Sequence, residues 1–293
     1  MNTARLLNRY RIDRPARFRL AACACDETGG LDMSKDEAKA LLKSDIERLS
    51  KLQERLYAHN RWAVLVILQG MDASGKDSAI EHVMSGINPQ GCEVTSFKAP
   101  SAEELDHDFM WRHAVRLPTR GRIDIFNRSY YEEVLVVRVH PELLAKQQLP
   151  ANARGSGIWR QRFADICAFE RHLAYNGTRV LKFFLHVSKQ EQRKRFLDRL
   201  DDPDKRWKFN AGDIAERKLW PSYMAAYQDM IRHTSIPEAP WYVVPADDKW
   251  YCRMIIAAAL VRTLDELRPQ FPRVTQTMLR EMTLARQALL AER

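Results

Sequence analysis

Residues 70–76 read Gly-Met-Asp-Ala-Ser-Gly-Lys, the spacing G-x-x-x-x-G-K, between an apolar run at Ala63–Leu68 and a helical pattern at Ser78–Ser85. A strand, a glycine-rich turn and a helix in that order form a phosphate cradle, because the turn's backbone N–H groups and the helix's positive end converge on one point. Gly70, Ala73, Ser74, Gly75, Lys76, Asp77 and Ser78 are expected to wrap phosphate oxygens, with Lys76 reaching the phosphoryl group that moves. Two departures from the usual loop matter. Asp77 stands where a Ser or Thr commonly ligates magnesium, and Asp72 lies inside the loop. A carboxylate among phosphates is repulsive unless a divalent cation sits between them, so Asp72 is a candidate metal ligand. A helix-capping role for Asp72 is the alternative.

The rest of the chain supplies the sheet that such a turn requires. Segments rich in β-branched and aromatic residues recur at Ala63–Leu68, Glu93–Phe97, Arg122–Phe126, Val180–Val187 and Trp241–Val244, alternating with helical patterns. That alternation predicts an α/β fold: a five-stranded parallel sheet with helices on both faces and ligands beyond the strands' carboxyl ends. Ser-x-x-Glu capping boxes at Ser34/Glu37, Ser101/Glu104 and Ser188/Glu191 mark helix starts. After the first of them, Leu42, Ile46, Leu49, Leu52 and Leu56 repeat as one apolar stripe. The polar stretch around Asp201–Lys218 reads as a lid, placed within residues 190–220. Residues 1–30 read as a basic, solvated arm and 273–293 as a helical tail, with 31–272 between them as the domain that carries the loop and the sheet.

The chain has 293 residues, with 47 Lys and Arg against 38 Asp and Glu, a net charge of +9. That excess suggests a polyanionic ligand. The five cysteines (Cys23, Cys25, Cys92, Cys167, Cys252) form neither C-x-x-C pairs nor zinc spacings, so they are read as packing residues in a reducing cytoplasm. The apolar runs fall short of the roughly 20 residues of a spanning helix, and no membrane role is expected. The arginines of the first twenty residues allow an organelle transit peptide as an alternative to a solvated arm.

Beyond the loop, Asn127 closes the third strand at the place where many phosphate-binding folds carry an aspartate serving magnesium. Arg128 follows, positioned to stabilise charge developing during phosphoryl transfer, with a surface salt bridge as the alternative. Tyr131, Glu132 and Arg138 are candidates for the border of the acceptor nucleotide. Arg193, Arg195, Arg199, Lys205, Arg206 and Lys208 on and after the helix opened by Ser188, with Lys98, are candidates to line an anion channel. The competing reading is that Asp198, Asp201, Asp202 and Asp204 neutralise the lid cations on a solvated face. Trp207 is expected to be buried under the lid, with stacking on a base as the alternative. No histidine has a local pattern for a covalent phosphohistidine, which favours direct in-line transfer.

At the loop Gly70–Lys76, at Phe97-Lys-Ala-Pro100, at Phe126-Asn-Arg-Ser-Tyr-Tyr131 and at Asp202-Pro-Asp-Lys-Arg-Trp-Lys-Phe209, the chain resembles the polyphosphate kinase 2 family of P-loop phosphotransferases. The resemblance implies a three-layer αβα fold similar to thymidylate kinase with a helical lid. It also implies reversible transfer of a terminal phosphoryl group between inorganic polyphosphate and a nucleotide, with Mg2+ as cofactor and Mn2+ as a substitute. Asn127 together with Glu132 is similar to the subgroup that phosphorylates both AMP and ADP; guanine nucleotides are the alternative acceptors. Similar members assemble as dimers or tetramers, so a homo-oligomer is expected. Two other readings stay open. An ATP-dependent nucleoside monophosphate kinase would use the same loop. A non-catalytic nucleic-acid-binding protein would explain the charge, but it leaves the loop without a purpose and lacks the aromatic residues interleaved with cations that single strands stack on.

Overall fold

β1 (Ala63–Gln69) is apolar at almost every position and every residue of it is buried, which requires helices on both faces of its sheet. The computed structural model describes residues 3–30 and 35–292 and has that arrangement. β1 lies at the centre of a parallel sheet with β2 (Cys92–Ser96), β3 (Ile123–Asn127), β4 (Thr178–His186) and β5 (Trp241–Pro245), in the order β2-β3-β1-β4-β5. Each strand begins and ends within two residues of its sequence expectation. Leu68 of β1 pairs with Asn127 of β3, and Gln69 with Phe184 of β4. The loop after β1 therefore opens beside Asn127, at the carboxyl edge of the sheet.

The helices of eight or more described residues are α1 (Thr3–Tyr10), α2 (Lys35–His59), α3 (Lys76–Val83), α4 (Ile158–Tyr175), α5 (Lys189–Asp201), α6 (Ala211–Lys218), α7 (Trp220–Thr234), α8 (Lys249–Leu267) and α9 (Gln276–Ala291). α8 is apolar nearly all round and buried, because α2 and α3 pack on it and it in turn covers the sheet. The predicted stripe of α2 faces α8: Leu49, Leu52 and Leu56 are buried, Leu42 and Ile46 half-buried. α4 lies on β4 and α7 packs against α4, completing the third layer.

The Ser101/Glu104 box closes with both of its hydrogen bonds. At Ser188 only half of the box forms. Its hydroxyl accepts from Glu191 N at 3.0 Å, while the Glu191 carboxylate turns to Arg195 and the Ser188 N–H goes to Asp247. Ser34 of the remaining box lies outside the described residues.

The N-terminal segment is not a solvated arm. Leu6, Leu7 and Tyr10 share one face of α1 and are buried, as are Phe18 and Leu20. Ile12 N donates to Trp241 O of β5 at 2.9 Å, and the Ser235 hydroxyl donates to Ile12 O at 2.7 Å. The arginines that make the segment basic flank this apolar face, and charge alone gave no sign of it. α9 is exposed along its whole length, including Met282, Leu289 and Leu290. All five cysteines are unpaired, Cys167 and Cys252 in the interior. Among the described residues no helix is long and apolar enough to cross a membrane.

Candidate active site at the carboxyl edge of the sheet

The loop after β1 is shaped by three residues with positive φ. Gly70 has φ 156°, and a Cβ there would sit 2.7 Å from Ser74 Oγ and 2.9 Å from Leu185 O, a backbone atom that cannot step aside. Ala73 is left-handed at φ 58° and Gly75 opens α3 at φ 104°. No side chain caps α3, so its first N–H groups stay available to an anion. Ser74 Oγ is buried with no partner. Gly70→Ala is expected to cost about 1–3 kcal/mol of strain, read as a lowered Tm together with a weakened affinity for phosphate-containing ligands. An unchanged Tm would show that the loop relaxes around the new methyl.

Lys76 is buried and folded back on its own loop, donating to Gly70 O at 2.6 Å and Met71 O at 3.2 Å. Burial, then the Arg128 guanidinium, pulls its pKa down to about 8, against the opposing pull of Asp72, Glu132 and Asp77. Arg128, one residue past β3, is itself left-handed at φ 64° and donates to Asp72 Oδ1 at 2.6 Å. Asp72 therefore does not cap α3; its carboxylate stands at the loop's mouth. Glu132 borders the same group. Its Oε1 accepts from the Gln69 amide at 2.9 Å in the amide orientation that also satisfies Ser129. Burial raises the Glu132 pKa while Arg128 and Lys76 hold it down. Asn127 Nδ2 donates to Asp77 Oδ1 at 2.5 Å, so a neutral amide occupies the carboxylate where another fold would place a metal-binding hydroxyl. The Ser78 hydroxyl accepts from Arg253 at 2.5 Å.

Among the described residues no three His, Cys, Asp or Glu side chains gather into a metal cage. Magnesium commonly needs only one or two carboxylates, with phosphate oxygens and water supplying the rest. Asp72, partly exposed beside the loop amides, fits that role.

Three residues hold the loop from behind. Arg195 of α5 is buried and uses its whole guanidinium. Nη1 donates to Ala73 O (3.0 Å) and Ser74 O (2.9 Å), Nη2 to Ala246 O (2.6 Å) and Asp247 O (2.8 Å), and Nε to Glu191 (2.8 Å). It thus has no donor left for a polyphosphate chain; it is a brace that keeps Ala73 and Ser74 turned outward. Gln192 donates to Asp72 O at 2.8 Å and accepts from Arg217 at 2.9 Å. The expected role of Arg195 in an anion channel is corrected accordingly, and nothing local in the sequence marked Gln192 or Arg217.

The lid follows as α5, a 3-10 turn at Pro203–Lys208, and α6. Its cations differ in what they touch. Arg199 faces Asp213 at 3.7 Å and lies over the Phe196 ring, Lys205 pairs with Asp202, and Arg206 donates to Leu200 O at 3.0 Å. Lys208 sits over Trp207, and Arg193 is exposed. Trp207 is 78% exposed, not buried, because the turn carries it outward. α6 brings Asp213 and Glu216 toward the loop. Burial, then the nearby Asp72, raises the pKa of Asp213. Glu216 accepts from Tyr223 and pairs with His140 at 2.9 Å, latching α6 to the body.

Of the residues expected at the acceptor border, Asn127 and Glu132 lie at the site and Tyr131 does not. Tyr131 is wholly buried, its hydroxyl donating to Glu170 at 2.7 Å, because the chain turns inward after Ser129. Arg138 pairs with Asp229 at 2.7 Å, and Lys98 is exposed past the end of β2.

The decisive comparison is with the polyphosphate kinase 2 family, whose sequence profile matches residues 32–272. The chain belongs to this family. It is 53% identical over 258 residues to an ADP-polyphosphate phosphotransferase of Rhodopseudomonas palustris, covering 88% of this chain and 89% of that one. It is 46% identical over 266 residues to an AMP/ADP-polyphosphate phosphotransferase of Meiothermus ruber, covering 91% and 96%. The fold matches the crystal structure of polyphosphate kinase 2 from Arthrobacter aurescens TC1 with a TM-score of 0.88 and 38% identity, over 98% of this chain and 97% of that one. Lys76, Asp72 and Arg128 meet at the carboxyl edge of the sheet, the edge at which open parallel sheets generally bind their ligands.

Proposed function

We propose that this polyphosphate kinase 2 transfers the terminal phosphoryl group of inorganic polyphosphate to AMP and ADP, reversibly and in one in-line step. The observation that carries the reading is the convergence of Lys76, Arg128 and Asp72 at the mouth of the loop, with the Arg128–Asp72 contact at 2.6 Å. The names of the two relatives support polyphosphate as donor and adenine nucleotides as acceptors. Loop amides and Lys76 hold the donor's terminal phosphate, and Arg128 stabilises the charge that spreads over the moving group. Glu132 and Asn127 border the acceptor. Arg193, Arg199, Lys205, Arg206, Lys208 and Lys98 draw the polyanionic chain toward the loop. Asp72 holds Mg2+, or Mn2+ in its place, which when bound neutralises phosphate oxygens. A homo-oligomer in the cytoplasm completes the proposal, and the exposed apolar residues of α9 are a surface that a second copy would cover.

Supplying AMP with polyphosphate alone or with ATP alone tests the donor: ADP should form with the former and not the latter. Transfer from ATP without polyphosphate would instead favour an ordinary monophosphate kinase.

The state of Lys76 makes donor binding pH-dependent. Its pKa is lowered to about 8, and a bound phosphate favours the charged form, so above that pH each binding event takes up a proton. The KM for polyphosphate should be flat below pH 8 and rise by about tenfold per pH unit above it. Lys76→Arg, which cannot lose its charge in this range, should abolish the rise. A rise that persists in Lys76→Arg assigns the titration to another group.

A further inference from the structure

A fully buried ion pair lies beneath the turn that carries Arg128 and Glu132. Lys182 of β4 and Glu170 of α4 are 0% exposed and 2.6 Å apart. The other oxygen of Glu170 accepts from two successive tyrosines, Tyr130 at 2.9 Å and Tyr131 at 2.7 Å. Lys182 spends its remaining donors on the Tyr131 hydroxyl at 2.9 Å and on Thr234 O, at the end of α7, at 2.7 Å. Trp241 of β5 donates to the Thr234 hydroxyl at 2.9 Å. Every donor and acceptor of this cluster is satisfied, and it joins the turn after β3, two strands and two helices.

Stability alone gives no reason for such a cluster, since apolar residues of the same volume commonly serve as well as a buried ion pair. What it does is local. Arg128 is left-handed, a conformation that persists for a side-chain-bearing residue only when its surroundings over-determine it. On one side of it, Arg128 N donates to Leu68 O of β1 at 3.1 Å. On the other, Tyr130 and Tyr131 reach inward to Glu170 while Glu132, the next residue, faces the loop. The tyrosine hydroxyls are thus the far anchor of the turn.

We propose that Glu170 is a positioning residue for phosphoryl transfer, acting through Tyr130 and Tyr131 to fix the turn that presents Arg128. It touches no substrate. The proposal rests on the reading that Arg128 acts on the moving phosphoryl group.

The test uses the full chain with two sets of changes, Glu170→Gln and the pair Tyr130→Phe with Tyr131→Phe, each also combined with Arg128→Lys. The tyrosine pair leaves the Lys182–Glu170 contact in place, so it reports on the anchor even where Glu170→Gln fails to fold. With polyphosphate and ADP well below Tm, kcat should fall by roughly 10- to 100-fold, the scale of a small misplacement of a catalytic group. The KM for polyphosphate should stay within about twofold, because the loop that binds the donor is untouched. The losses should not add to that of Arg128→Lys, since both changes disable one guanidinium. A wild-type kcat in the tyrosine pair, or penalties that add to that of Arg128→Lys, overturns the proposal alone. A wild-type chain that moves no phosphate from polyphosphate overturns the functional reading, and this proposal with it.

Discussion

Lys76→Ala is expected to lower kcat by about a thousandfold or more while leaving the fold intact. One preorganised charge aimed at a developing anion is worth roughly 10²–10³ in rate, and Lys76 supplies donor binding besides. The fold should survive because the ammonium contributes little to it. Burial and Arg128 push its pKa down to about 8, so below that pH folding holds the group protonated against its environment, and its partners are two loop carbonyls. The unfolded lysine keeps its proton up to its ordinary pKa and the folded one loses it earlier, so stability from this group rises with pH between the two values, and at neutral pH the group is a cost. Steady-state kinetics with a thermal melt checks both halves: lost turnover at an unchanged or higher Tm. Turnover within tenfold of wild type would place the reaction elsewhere.

Arg128→Gly should separate chemistry from stability in the opposite sense to an ordinary active-site deletion. The backbone at 128 is left-handed at φ 64°, a conformation that glycine adopts freely and that costs other residues about 1–3 kcal/mol. Glycine therefore relieves strain as it removes the guanidinium. The Arg128–Asp72 pair is lost, but its side chains are 40% and 26% exposed, where such a pair is worth about 1 kcal/mol or less. Tm should hold or rise, while kcat falls by roughly 10³-fold, the low end of what an arginine contributes to phosphoryl transfer. If kcat survives, Arg128 is only the partner of Asp72. A Tm that drops by several degrees would mean that the turn needs the arginine for its shape.

The sheet was legible because its signals are local. Continuous apolar runs, the glycines at 70 and 75, and the Ser101 box each act within a few residues, and the strands begin and end close to where they predict. The register of Leu68 with Asn127 then brings Asp72, Lys76 and Arg128, each singled out by its place in or beside a local motif, to one edge of the sheet. What escaped depends on contacts between distant segments. Arg195 looked like one lid cation among six, and only the approach of α5 to the loop makes it a brace. Tyr131 follows Arg128 so closely that a place at the site was the natural expectation. The inward turn after Ser129, fixed by a lysine on β4 and a glutamate on α4, takes it away. The arginines of the N-terminal segment hide an apolar face that exists only once α1 forms, so charge alone points to a solvated arm.

Product analysis of the wild-type chain tests the central claim most directly: ADP and AMP, each with polyphosphate and Mg2+, beside the same mixtures lacking polyphosphate and beside Lys76→Ala. ATP from ADP, and ADP from AMP, should appear only with polyphosphate and only with the lysine in place. Products that form without polyphosphate, or in equal yield without Lys76, would contradict it.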